Sequence, residues 1–134
     1  MARKILIVED TRNIREIVGF LLKGRGYEVV EAADGVEALE KAFAVLPDLV
    51  LLDAMLPRKS GFEVCSELKA DARSKHIPIL MLTAVTRDTG KSDEYWKEKS
   101  KADAFMSKPF KAAELVERVE QLLGGAAPAP PETK

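Results

Sequence analysis

The sequence predicts a doubly wound α/β domain built on a five-stranded parallel sheet, and three observations carry that expectation. Short runs rich in β-forming residues alternate with stretches of helical periodicity through residues 5–123. The runs Ile5-Leu6-Ile7-Val8 and Leu49-Val50-Leu51-Leu52 are apolar without interruption, as strands covered by helices on both faces must be. Each run also ends on residues that handle phosphate or a hard cation. Glu9-Asp10 follow the first and Asp53 follows Leu52; Thr83 follows Ile79-Leu80-Met81-Leu82, and Ser107-Lys108-Pro109 follow Ala104-Phe105-Met106. In a parallel sheet all strand C-termini open on one edge, and ligands bind there, where the winding reverses.

Taken in order, the first run leads into a helix with Ile14, Ile17, Val18, Leu21 and Leu22 on one face, ending near Gly24 and Gly26. Tyr27 to Ala32 alternates only in part, as an edge strand does, and Asp34-Gly35 turns the chain into a helix carrying Val36, Leu39 and Phe43. Leu49 to Leu52 reads as the central strand, followed by a loop through Pro57 and a helix with Phe62, Cys65 and Leu68. Ile77 to Leu82 repeats the strand pattern. A last helix carries Leu115, Val116, Val119, Leu122 and Leu123 until Gly124-Gly125 stops it. Right-handed crossovers distribute the helices over both faces of the sheet. A strand order of 2-1-3-4-5 makes strands one and three neighbours.

The chain has 134 residues, 46% apolar and 32% charged, which fits one globular domain over residues 1–123. Residues 124–134, rich in Gly, Ala and Pro, read as a tail or linker. A formal net charge of -1 supplies no overall cationic field for nucleic acid or an anionic membrane. Cys65, the single cysteine, falls at an apolar helical position and reads as a small core residue. The apolar run near the start is only four residues long, against the roughly 7 to 15 of a signal-peptide core, and no run approaches the ~18 of a membrane span. A cytoplasmic location is expected.

Glu9, Asp10 and Asp53 bring three carboxylates to the tips of neighbouring strands. A hard divalent cation offsets their repulsion, and an all-oxygen site partly filled by water suits Mg²⁺. Taken alone, any one of these acids reads first as a helix cap, as Asp10 does ahead of helix one. Lys108 adds an ammonium able to hold a phosphoryl oxygen, and Thr83 adds a short hydroxyl. A carboxylate nucleophile, a metal, a lysine and a hydroxyl are the parts of phosphoryl transfer by positioning and electrostatics, with Asp53 the candidate nucleophile.

Together and in this order, Glu9-Asp10, Asp53-Ala54-Met55-Leu56-Pro57 with Gly61, Thr83-Ala84 and Lys108-Pro109-Phe110 resemble the receiver domain of two-component response regulators, over about residues 3–123. The resemblance implies a flavodoxin-like fold and Mg²⁺ bound by Asp10, Asp53 and the backbone carbonyl of Met55, with Glu9 acting mostly through water. It implies that Asp53 takes a phosphoryl group from a histidine kinase or a histidine phosphotransfer protein. Thr83 and Lys108 would bind that group, and Phe105 would turn inward as Thr83 moves. Simple core packing is the other reading of Phe105. The output would be a protein target met on the face formed by the fourth-helix region, the fifth strand and the fifth helix, with no direct nucleic-acid or membrane contact and no turnover of a separate substrate.

An alternative is a Mg²⁺-dependent phosphotransfer enzyme resembling the haloacid dehalogenases, but that class has a second Asp two residues after its nucleophile, where this chain has Met55. No Gly-x-x-x-x-Gly-Lys or Gly-x-Gly-x-x-Gly loop follows strand one, which argues against a nucleotide or flavin binder. Residues 86–101, where the family places its fourth helix, run sixteen positions without an aliphatic side chain and offer only Tyr95 and Trp96 as anchors. Low local stability is expected of this segment. His76 reads as a loop residue.

Overall fold

The computed structural model describes residues 3–83, 102–107 and 110–124. Among them the chain runs β1 (Lys4–Val8), α1 (Arg12–Gly24), β2 (Glu28–Ala32), α2 (Gly35–Val45), β3 (Leu49–Asp53), α3 (Gly61–Ala70), β4 (Ile79–Thr83), β5 (Ala104–Ser107) and α4 (Ala112–Gly124). All strand pairs are parallel and the order is β2-β1-β3-β4-β5, as the sequence predicts. The polar segment 86–101, Lys108 with Pro109, and the tail beyond Gly124 lie outside the described residues.

The sheet separates two apolar cores. Leu6, Val8, Val50, Leu52, Ile79 and Met81 meet Ala38 and Ala42 of α2 and Val64, Cys65 and Leu68 of α3. Ile5, Ile7, Leu49, Leu51, Leu80 and Leu82 meet Val18 and Leu22 of α1 and Leu115 and Val119 of α4 on the other face. Side chains alternate across a strand, so a strand covered twice must be apolar at every position, and this explains the uninterrupted runs. Each fully buried side chain of this size contributes about 1.5–3 kcal/mol.

Three details depart from the expected pattern. The buried arc of α1 is rotated toward Arg15 and Gly19, leaving Ile17 60% and Phe20 80% exposed. Gly19 rests against Ile7, Val29 and Glu31, and Arg15 is tied to Glu9 and Glu31, so these two residues and not Ile17 face the sheet. On α2 the deeply buried positions are Ala38 and Ala42, with Leu39 and Phe43 flanking them, because small residues let the helix approach closely. The fourth strand begins at Ile79 and not Ile77: Ile77 is buried, but its N–H closes a turn onto the Ser74 carbonyl and Pro78 has no N–H to give.

Two helices that frame the strand-end crevice are capped by side chains. Asp34 accepts the Glu37 N–H at 2.8 Å ahead of α2. Ser60 and Glu63 form a reciprocal capping box ahead of α3, at 3.2 and 3.0 Å. Glu37 in turn accepts the Ala33 N–H, which with the ammonium of Lys41 holds its carboxyl below the usual range.

Candidate functional site

Val8 pairs with Leu52, so the next residues along each chain, Glu9 and Asp53, emerge side by side at the C-terminal edge of the sheet. Carboxylate oxygens of Glu9, Asp10 and Asp53 lie within 4.8 Å of one another. Glu9 is 2% and Asp53 4% exposed, whereas Asp10 faces solvent, so the cluster is a buried floor with one acid at its mouth. Thr83 is the last residue of β4, beside β3 and opposite Ser107 of β5. The structure therefore brings the three predicted acids together and puts Thr83 on the same edge.

The backbone around the acids is held by short local bonds. Glu9 accepts the Thr11 N–H at 3.1 Å, and Asp53 Oδ1 accepts the Met55 N–H at 3.0 Å. The Met55 side chain is exposed. Gly61 donates to the Ala54 carbonyl at 2.9 Å, while Gly35 donates to the Pro57 carbonyl at 3.3 Å. Both glycines are sterically required: a Cβ on Gly35 would lie 2.0 Å from the Lys59 carbonyl oxygen, too close for any other residue. Arg58, at φ 70, sits in the left-handed region and pairs with Asp34 at 3.3 Å. The loop that follows Asp53 is thus clamped between the starts of α2 and α3.

Phe105 is half-buried on β5 and packs against the core that includes α2 and α3; its carbonyl accepts from Arg118 Nη1 of α4 at 3.3 Å. Lys108 lies outside the described residues. Sequence reasoning passes over Arg15, whose guanidinium reaches the Glu9 carbonyl, because periodicity cannot tell a paired arginine on a helix from a solvated one. A basic residue on the arc that should face the sheet was the available signal.

Chemically, the donor set is all oxygen and anionic, with two of its acids buried and one exposed. That fits a small hard cation with part of its water shell retained. Three carboxylates at this spacing favour a cation among them.

The response regulator receiver domain family matches residues 5–120. The chain belongs to that family. This receiver domain is 40% identical over 120 residues to the DNA-binding dual master transcriptional regulator RpaA of Synechocystis, covering 90% of this chain and 48% of that protein. The chain spans about half the length of the curated relatives it matches. Among solved structures, the chemotaxis response regulator CheY4 of Vibrio cholerae superposes with a TM-score of 0.83 at 34% identity, covering 92% of this chain and all of that one. The receiver domain of the sensor histidine kinase PA1611 from Pseudomonas aeruginosa PAO1, with a magnesium ion coordinated in its active-site cleft, gives 0.83 at 28% identity, over 94% of this chain and all of that one. The receiver domain therefore belongs to phosphorylation-dependent signalling, and nothing in these likenesses favours a dehalogenase-type enzyme. Among the described residues no helix is long and apolar enough to cross a membrane.

Proposed function

We propose that Asp53 is the phosphoryl acceptor of this receiver domain. The observation that carries the reading is the buried Asp53 carboxylate at the end of the central strand, within 4.8 Å of Glu9 and Asp10. A carboxylate oxygen of Asp53 attacks the phosphorus of a phosphohistidine on a histidine kinase or phosphotransfer protein. The O–P bond forms as the P–N bond breaks, and the electron pair leaves with the partner's imidazole. Asp10, Asp53 and the backbone carbonyl of Met55, with Glu9 through water, would hold Mg²⁺, which when bound offsets the negative charge around the incoming group. The Met55 N–H orients the Asp53 carboxylate. Thr83 and Lys108 receive the phosphoryl oxygens, and Phe105 changes its packing as Thr83 moves.

The output is a changed surface for a protein target, on the face made by residues 86–101, β5 and α4. Asp53 is phosphorylated and dephosphorylated with no separate substrate turned over. Residues 1–123 form the receiver unit, 124–134 a tail or linker, and the setting is the cytoplasm. Relatives whose names record DNA binding are about twice as long, and a net charge of -1 gives this chain no overall cationic field for nucleic acid.

The test is a small-molecule phosphodonor with Mg²⁺, read by intact mass. The wild-type protein is expected to gain one phosphoryl group and Asp53→Asn none; undiminished labelling of that variant, or labelling unaffected by a chelator, overturns the reading.

A further inference from the structure

We propose that Arg15 is a positioning residue for the carboxylate site: it fixes the peptide joining Glu9 to Asp10 and so aims Asp10 at the cation. The proposal rests on the phosphoryl-acceptor reading above.

Arg15 stands one turn into α1, and its side chain is only 17% exposed. Its guanidinium makes two bonds in different directions. Nη1 donates to the Glu9 carbonyl at 2.8 Å, and Nε donates to Glu31 Oε1 on β2 at 3.1 Å. Its own backbone N–H donates to the Thr11 carbonyl at 3.0 Å. Arg15 therefore closes the β1–α1 turn with main chain and side chain together, while Glu31 anchors the fork against the sheet.

The consequence falls on Asp10. The Glu9 N–H is already bound to the Ala32 carbonyl at 3.1 Å, so Glu9 is held on both sides, by β2 through its N–H and by Arg15 through its C=O. A peptide group is planar, and the Glu9 carbonyl shares its plane with the nitrogen and Cα of Asp10. Fixing the carbonyl fixes where the Asp10 nitrogen and Cα sit, and the Thr11 N–H held by Glu9 Oε2 at 3.1 Å restrains the backbone on the other side of Asp10. Glu9 and Asp53 are buried, whereas Asp10 is exposed and has less packing to aim it. Its direction depends on its backbone.

Charge and position make opposite predictions here. As a nearby cation Arg15 would repel Mg²⁺, so removing it should tighten metal binding; as a positioning residue its loss should weaken binding. Lysine keeps the charge but cannot supply two donors in one rigid plane. Mg²⁺ affinity is measured by calorimetric titration of the whole chain, with folding checked by circular dichroism. We expect Arg15→Met to weaken Mg²⁺ binding about 10-fold, the scale of losing a residue that orients a metal ligand. Arg15→Lys should weaken it as well. In the metal-free protein, amide NMR signals of Asp10 and Thr11 should shift in both variants while those of β3 stay in place.

Tighter or unchanged Mg²⁺ binding by folded Arg15→Met, or full wild-type affinity in Arg15→Lys, overturns the proposal; a lower unfolding midpoint with unaltered affinity would mark Arg15 as merely structural. If Arg15→Met does not fold, Arg15→Lys decides by the same titration. A wild-type protein that binds no Mg²⁺ overturns the acceptor-site reading itself, and this inference with it.

Discussion

Gly61 stands so close to Asp53 that a Cβ on it would lie 2.1 Å from the Asp53 carbonyl oxygen and 2.8 Å from Cα of Ala54. Both contacts are backbone, which cannot swing aside as a flexible side chain can. Gly61→Ala is therefore expected to push the start of α3 off the end of β3, at a cost of about 1–3 kcal/mol. Denaturant unfolding would measure the loss, and slower labelling of Asp53 by a phosphodonor should accompany it.

Lys69 is a pin at the opposite edge of the sheet. Its ammonium, on a side chain only 11% exposed, donates to Asp103 Oδ2 at 2.7 Å, the Ile77 carbonyl at 2.8 Å and the Lys75 carbonyl at 3.2 Å. Asp103 in turn accepts the Ile79 N–H that begins β4. Lys69→Ala leaves these acceptors without their donor and should cost about 1–3 kcal/mol. Asp103→Asn keeps an acceptor for Ile79 and should cost less, and chemical denaturation of both variants gives the order.

Asp71 is gripped by Arg73 through a two-pronged ion pair, at 2.9 and 3.0 Å, and by the Arg73 N–H. The guanidinium bonds chiefly, and the N–H secondarily, lower the Asp71 carboxyl from 3.8 to about 2. A carboxyl lowered by folding stabilises the fold above its unfolded value, and that contribution fades as pH falls from about 3.8 through about 2. NMR titration should find Asp71 near 2 in the wild type and higher in Arg73→Ala, though still below 3.8 because the backbone N–H at 73 remains, and the variant should lose less stability across that interval. Because Arg73 also lies 4.4 Å over the Phe43 ring, Arg73→Lys is the milder control.

Met55 is exposed two residues beyond Asp53 and has no polar group to orient an attacking water. A long-lived phosphoryl group on Asp53 is the expected outcome. Met55→Asn or Met55→Glu should shorten its half-life, by less than the ~10²-fold that a fully positioned base supplies. Decay of the labelled species by intact mass checks this, and unchanged or slower decay in both variants counts against it.

Most of the fold was legible because burial on two faces leaves a plain mark: the four uninterrupted apolar residues Leu49 to Leu52 read directly as a central strand, and all four are buried. The meeting of Glu9, Asp10 and Asp53 followed from strand order alone. What could not be read were contacts that depend on the angle of one element against another. The rotation of α1 that exposes Ile17 turns on Gly19 having no side chain and on Arg15 having two partners, neither of which a count of apolar spacing registers. The close approach at Gly61 is likewise a matter of a few ångströms between two backbone segments, whereas the start of β4 behind Pro78 is set by a local turn that an apolar count reaching Ile77 passes over.

The division of the interior by the sheet bears on how this chain tolerates change. Val50 and Leu51 are adjacent in sequence yet belong to different cores, while Val50 shares its neighbourhood with Leu68 and Leu51 shares its own with Val119. Substitutions at sequence neighbours on a strand should combine nearly independently, and those at distant positions on one side should interact strongly. Drift in one half of the interior can then be compensated within that half, by a residue on the helix that covers it, with the other half unaware of the exchange.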